Sequence, residues 1–282
     1  MRLNHKLTTA TWFITLLIVA MQLSAQQQQR QSRLQLAGIF GDHMVLQQQT
    51  DAAIWGVAKP KSKVSVATSW DGKVSKTKAD ADGKWTTTVN TPGAGGPFEI
   101  QIKSGQETKT LKNVMSGEVW ICSGQSNMQW KMRGFGVDHF KADVDKANHP
   151  NIRLCQVPQI LSLEPQDDIK CRWGVCTPKS ALQFSATAYF FANKLREEID
   201  APIGLVSTNW GGSSAEAWVN EDVLKKQFPA FDDQYAGFKE FASKTGLVYS
   251  RGKNKPPKGL NHRSPSVPVS YTHLTLPTIY SV

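Results

Sequence analysis

The chain has 282 residues, with 33 Lys and Arg against 23 Asp and Glu and a formal net charge of +10. That length supplies one large or two ordinary domains with real cores. The basic residues are scattered apart from Lys61–Lys63 and Arg251–Lys258, and no nucleic-acid-binding module accompanies them, so nucleic acid is excluded as a partner and the surplus reads as solvated surface that could at most favour acidic glycans.

Arg2 and Lys6 precede an apolar run from Trp12 to Val19, and Leu23-Ser24-Ala25 offers a small residue to a signal peptidase, so 1–25 reads as a signal peptide. The run is shorter than the roughly 20 apolar residues of a membrane span, and polar Gln26 to Arg33 follows it. No later stretch approaches that length. The expectation is an exported protein, periplasmic or extracellular, with no stable membrane insertion after cleavage and a flexible leader at Gln26–Gln29.

Residues 34–114 read as an all-β sandwich. Val64 and Val66 alternate with polar residues, as Ile100 and Ile102 do later, and Asp71-Gly72 and Asp82-Gly83 supply turn residues tolerant of positive φ. "TPGAGGP", 91–97, is a loop by composition. Ser75-Lys76-Thr77-Lys78 matches Ser-x-x-Lys only formally and is read as a solvated strand face. Trp55, Trp70 and Trp85 have two readings: the sandwich core, or an exposed platform for glycans.

The pattern changes at Gly117. Glu118–Cys122 is a short apolar strand, Ser185–Ile199 a helix with Ala188, Phe191, Leu195 and Ile199 at helical spacing, and Ile203–Ser207 a further strand. Pro202 stops the helix, because proline cannot continue it and disfavours α geometry just before itself. Helix, break, strand and glycines make the rhythm of a parallel α/β sheet, on which ligands gather at the carboxyl ends of strands. Residues 115–267 form this second unit, with a surface insertion near 221–262 that has helical stretches around Val223–Phe228 and Tyr235–Phe241.

Four cysteines are present: Cys122, Cys155, Cys171 and Cys176. Export would permit a disulfide among the last three, the sequence not choosing which, while Cys122 inside the apolar strand reads as a buried, inert thiol. No Cys-x-x-Cys or helical His pair suggests a metal, and no cofactor is expected.

Both "CSGQSN" and "TNWGGSS" stand at strand ends. A serine becomes nucleophilic when a tight turn exposes its hydroxyl beside a base, with backbone donors aimed at the developing oxyanion. Gly124 permits such a turn before Ser126, whereas Ser123 comes one residue off the strand with no glycine before it. The α/β-hydrolase elbow Gly-x-Ser-x-Gly is not matched, since Met128 stands where its second glycine would be. Gly211 and Gly212 follow the other strand; alone they read as a turn, and paired with the first loop they could bring a backbone N–H against a reacting oxygen.

"GIFGDHMVLQ" with "WGVA", "GEVWICSGQSNMQW" and "IGLVSTNWGGSSAEAW" together resemble the sialate O-acetylesterase family, a branch of the SGNH-type hydrolases, over about residues 34–220. The resemblance implies a three-layer, flavodoxin-like SGNH hydrolase domain after the β-sandwich. It implies an esterase that removes acetyl groups from O-acetylated sialic acid or related sugars, without metal or cofactor. It further implies Ser126 as nucleophile, Gln125 and Asn127 beside the substrate, and an oxyanion hole from the Ser126 N–H with Gly211 or Gly212. A late Asp-x-x-His, which supplies base and orienter in such enzymes, is absent from these 282 residues. The domain is therefore expected to be incomplete at its C-terminal side and the chain inactive, and 268–282, "PVSYTHLTLPTIYSV", reads as foreign sequence or a disordered tail. Three alternatives stay open: a glycan-binding β-sandwich module, an esterase of acetylated plant polysaccharides, and a complete enzyme with His139 or His149 as an unusual base.

Overall fold

The computed structural model describes residues 33–134, 137–161, 168, 169, 171–213, 218, 219, 223, 226, 227, 249 and 250. The expected signal peptide 1–25, the tail 268–282 and most of the insertion at 221–262 lie outside the described residues.

The N-terminal β region holds β1 (Gln35–Leu36), β2 (Val45–Gln47), β3 (Asp51–Val57), β4 (Lys63–Thr68), β5 (Val74–Lys78), β6 (Lys84–Asn90), β7 (Gly95–Ser104) and β8 (Glu107–Gly124). One antiparallel sheet runs β1-β3-β6, and β8-β7-β4-β5 form the other. Asp71-Gly72 closes the β4–β5 hairpin. Asp82-Gly83 instead carries the chain from one sheet to the other: β6 pairs with β3, and Asp80 holds the crossing by accepting from the N–H groups of Asp82 (2.9 Å) and Lys84 (2.8 Å). The segment expected as a loop at 91–97 is strand from Gly95 onward, with irregular register on either side of Phe98.

β8 continues unbroken past the expected boundary at 114/115. Its first part pairs antiparallel with β7, and Glu118–Gly124 pairs parallel with β12 (Ile203–Asn209). Between them come α1 (Ser126–Gln129), a 3₁₀ turn at Val137–Phe140, α2 (Lys141–Asp145), β9 (His149–Gln156), β10 (Ile160–Leu161), β11 (Trp173–Cys176), α3 (Pro178–Gln183) and α4 (Ala186–Glu198). β12 lies between β8 and β9 and is parallel to both, whereas β11 is antiparallel to β9, so the sheet is mixed rather than purely parallel. β10 pairs with β13 (Tyr249–Ser250).

α3 starts where Thr177 accepts from the Ser180 N–H and Pro178 supplies a φ already suited to the first turn. α4 is capped by Ser185, whose hydroxyl accepts from the Ala188 N–H at 3.2 Å. Its buried stripe is Ala188, Tyr189 and Ala192; Phe191, counted from spacing as part of the apolar face, is 40% exposed and packs edge-on against Trp120 of β8 at 5.0 Å.

Alternation along the strands divides the core. Ile152, Leu154, Ile203 and Leu205 face the helices with Phe184 and Tyr189. Cys155 and Val206, on the opposite face, join the core of the β region with Leu34, Met44 and Leu46. All seven residues of β12 are buried as a result. The β region thus covers one face of this sheet and α3 and α4 the other. Trp85 lies in the β-region core, Trp55 packs against Phe40 and Trp70 against Phe98, so the three form no exposed platform. Cys155 and Cys171 are joined, and Cys122 and Cys176 are free and buried.

Candidate active site

β8, β12 and β9 run the same way and deliver their carboxyl ends, Gly124, Asn209 and Gln156, to one edge of the molecule. Gly124, with φ of 148°, turns the chain sharply off β8; a Cβ there would meet Cβ of Met128 at 3.2 Å. Ser126 then opens α1, a single turn closed by bonds from Gln129 N–H to Gln125 O (2.9 Å) and Trp130 N–H to Ser126 O (3.0 Å). Gln125, Ser126 and Asn127 are exposed. Ser123 is exposed too, one residue before the turn. Cys122 beneath it is buried, which pushes its thiol up to about 12 and leaves it without a reactive thiolate.

Residues three apart on one helical turn share a face. Ser126 and Gln129 face the loop after β12; Asn127 and Trp130 face the other way. On the first side the two glycine loops meet. Trp210 donates its N–H to Gly124 O at 3.0 Å, and its side chain is buried in the core below. Gly211 donates its N–H to Gln129 Oε1 at 2.6 Å. A Cβ on Gly211 would fall on that same oxygen and stand 3.2 Å from Ser126 Cα, so any larger residue here would have to displace the Gln129 side chain and press on the serine backbone. Gly212 follows with φ of 80°. The loop is tied down further by Gln159 Nε2 donating to Asn209 O (2.8 Å), Ser213 Oγ to Trp210 O (2.7 Å) and Trp218 Nε1 to Ser213 Oγ (2.7 Å). Ser126 and Gly211 are therefore brought together, with Gly212 next in the chain and the Gly211 amide already engaged by a side chain.

On the other side of α1 a cleft of about 640 Å³ opens, lined by Asn127, Trp130, His139, Phe140, Thr187 and Phe190, with Ala186 at its floor. Thr187 donates to Asn127 O at 3.0 Å, which fastens α1 to the start of α4. Trp130 is 45% exposed at the rim. Aromatic faces beside an amide and a hydroxyl can take a flat polar ring.

The described histidines separate by position. His139 is in the cleft wall. His149 begins β9 and contacts Tyr189 OH at 3.4 Å, and His43 lies within 2.9 Å of Asn113 Nδ2 and 3.4 Å of Arg153 Nη1. The eight-residue β9 puts its two ends roughly 23 Å apart, so His149 is out of reach of Ser126. The reading of His149 as an unusual base is overturned. Among the described residues no three His, Cys, Asp or Glu side chains stand together as a metal would require, and no helix is long and apolar enough to cross a membrane.

Residues 116–247 match the family model described as carbohydrate esterase, sialic acid-specific acetylesterase. Residues 116–247 belong to that family. The chain is 32% identical over 208 residues to the sialate O-acetylesterase of Mus musculus and 30% identical over 210 residues to that of Homo sapiens, in each case over 67% of this chain. It spans 38% and 39% of the length of those two relatives. A crystal structure of a carbohydrate acetylesterase from Xanthomonas citri superposes with a TM-score of 0.64 at 33% identity, covering 68% of this chain and 44% of that one. The matched region begins within β8, and both glycine loops, α1 and the cleft fall inside it.

Sequence reasoning alone had not reached Gln129, Trp130 or the cleft. The first two carry a signal, since they stand three residues after Ser126 and Asn127, the spacing that shares a face on one helical turn.

Proposed function

We propose that this chain is part of a serine carbohydrate O-acetylesterase of SGNH type, acting on acetyl esters of sialic acid or a related sugar. One observation carries the reading: Gly211, distant in sequence, is seated so closely against Ser126 that a Cβ on it would stand 3.2 Å from Ser126 Cα. Ser126 Oγ bonds to the acetyl carbonyl carbon as its proton passes to a base. The Ser126 and Gly212 N–H groups hold the oxyanion, the Gly211 N–H being committed to Gln129. Collapse breaks the bond to the sugar oxygen, which takes the proton, and water then releases acetate from Ser126. The sugar occupies the cleft beside Asn127 and Trp130, with Gln125 at its mouth. Export is supported by the N-terminal apolar segment and by the Cys155–Cys171 bond, which an oxidising compartment maintains.

In the leading reading the base comes from outside the described residues. The sequence holds no Asp-x-x-His, and His43 and His149 are at the wrong end of the sheet, so the chain by itself is expected to release p-nitrophenol from p-nitrophenyl acetate no faster than its Ser126→Ala variant. Added imidazole supplies a base. With it, mass spectrometry is expected to find an acetyl group on the Ser126 peptide, absent in Ser126→Ala and suppressed more by an O-acetylated sialic acid than by acetylated xylo-oligosaccharides. Acetylation confined to lysines would overturn the esterase reading; stronger suppression by the xylo-oligosaccharides would move the substrate to plant polysaccharides. The place of His139 in the cleft wall favours a second reading, in which His139 is the base. Ser126-dependent turnover without imidazole, lost in His139→Ala, would establish it.

A further inference from the structure

We propose that Gln129 is a positioning residue of this site: its side-chain carbonyl holds the Gly211 amide and so sets how the loop 209–213 stands against Ser126. The inference rests on the esterase reading and adds to it a residue with no part in bond making. Ser126 and Gln129 lie on one face of α1, so any force on the Gln129 side chain is referred to the same turn of helix that carries the hydroxyl. Two consecutive amides of the loop are tethered to the serine segment. The Trp210 N–H bonds to the backbone oxygen of Gly124 at 3.0 Å, a contact that no substitution at Gly124 deletes. The Gly211 N–H bonds to Gln129 Oε1 at 2.6 Å, a contact that depends wholly on one side chain. Together they fix the peptide planes on both sides of Trp210. The next plane, Gly211–Gly212, carries the N–H assigned to the oxyanion, and the chain turns away directly after it at Gly212, with φ of 80°.

Two features show that this approach is built for the Gln129 carbonyl. A Cβ on Gly211 would occupy the place taken by Oε1, so the Gln129 carbonyl can sit where it does only because the donating residue is glycine. Trp210 is buried to 1% exposure beneath the loop, so the loop cannot rise to relieve a misfit and must pivot instead. Removing the acceptor leaves the half-buried Gly211 amide without its carbonyl and frees that pivot. A shift of a fraction of an ångström between nucleophile and oxyanion donor is enough to slow acyl transfer.

The test uses the whole chain labelled with ¹⁵N-glycine, in wild type, Gln129→Leu and Gln129→Glu, with two readouts. The Gly211 amide is expected to exchange with solvent deuterium ~10-fold or more faster in Gln129→Leu and to regain protection in Gln129→Glu, which keeps a carbonyl-type acceptor. Imidazole-assisted acetylation of Ser126 is expected to slow by about tenfold in Gln129→Leu at an unchanged melting temperature, with partial recovery in Gln129→Glu. Equal Gly211 exchange in wild type and Gln129→Leu would overturn the clamp. Faster exchange with an unchanged acetylation rate would overturn the positioning role. Absence of Ser126 acetylation in the wild type would overturn the esterase reading beneath it, and is told apart because the exchange readout does not depend on chemistry.

Discussion

The two ends of the strands β8, β12 and β9 carry similar kinds of residue to opposite effect. At the amino end, Arg153 is 4% exposed and donates to Asn113 Oδ1 (3.1 Å) and Pro150 O (2.8 Å), with His43 beside it and His149 against Tyr189 nearby. Its polar side chains are spent on one another. At the carboxyl end, Ser126, Gln125 and Asn127 are exposed, the close contacts join the glycine loops through backbone groups and the Gln129 side chain, and a cleft lies alongside. A histidine or an arginine therefore says little about chemistry until its end of the sheet is known. The amino end locks the β region to the sheet, and the carboxyl end is left to meet a ligand.

The comparison breaks first if Gly211 is not special. Gly211→Ala is expected to cut imidazole-assisted acetylation of Ser126 by roughly 100-fold, because the new methyl must displace Gln129 or the serine backbone, while the melting temperature moves little. A rate within twofold of wild type would remove the argument from close approach. The reverse is expected of Arg153→Met: a loss of about 2 kcal/mol in urea unfolding, from charged hydrogen bonds broken in a buried setting, with Ser126 acetylation per folded molecule unchanged. A rate loss as large as the stability loss would couple the two ends. The smallest effect concerns His149. Burial, then the nearby Arg196, holds its pKa below the ordinary histidine value, so the unfolded chain binds the proton more readily than the folded one. Stability should fall as pH drops below about 6.5 toward that lowered value, and His149→Gln should flatten this part of the pH–stability curve without altering acetylation at pH 8.

Much of the carboxyl end was legible in the chain because its signals are local. The apolar run after Gly117, the stop at Pro202 and the all-apolar start of β12 mark two strands and a helix, and they stand at Glu118–Gly124, Ala186–Glu198 and Ile203–Asn209. β9 escaped notice, since "HPNIRLCQ" opens with polar residues around a proline, and the bond from its central Arg153 to Asn113 of β8 comes from 40 residues away. β11 is short and its pairing is set by β9. Cys155–Cys171 could not be chosen over the other pairings by spacing. The unity of β8 was hidden by Lys112 and Asn113, the latter at φ of 55°, which look like a terminus and instead put a local irregularity into one long strand. The bond from Gly211 to Gln129 spans 82 residues and leaves no periodic trace.

That long strand constrains how the two parts of the molecule can vary. Eighteen residues without a break make β8 a common spine: its first half is ruled by β7 and its last reaches the turn before Ser126. Because side chains alternate with a period of two, one residue added or lost between Val114 and Gly117 would invert everything beyond it, sending Cys122 toward the β region and Ile121 toward α4. The join tolerates changes of composition but hardly any change of length, so the N-terminal sheets behave as the fixed half of a vice in which the serine turn is held, rather than as a module on a hinge.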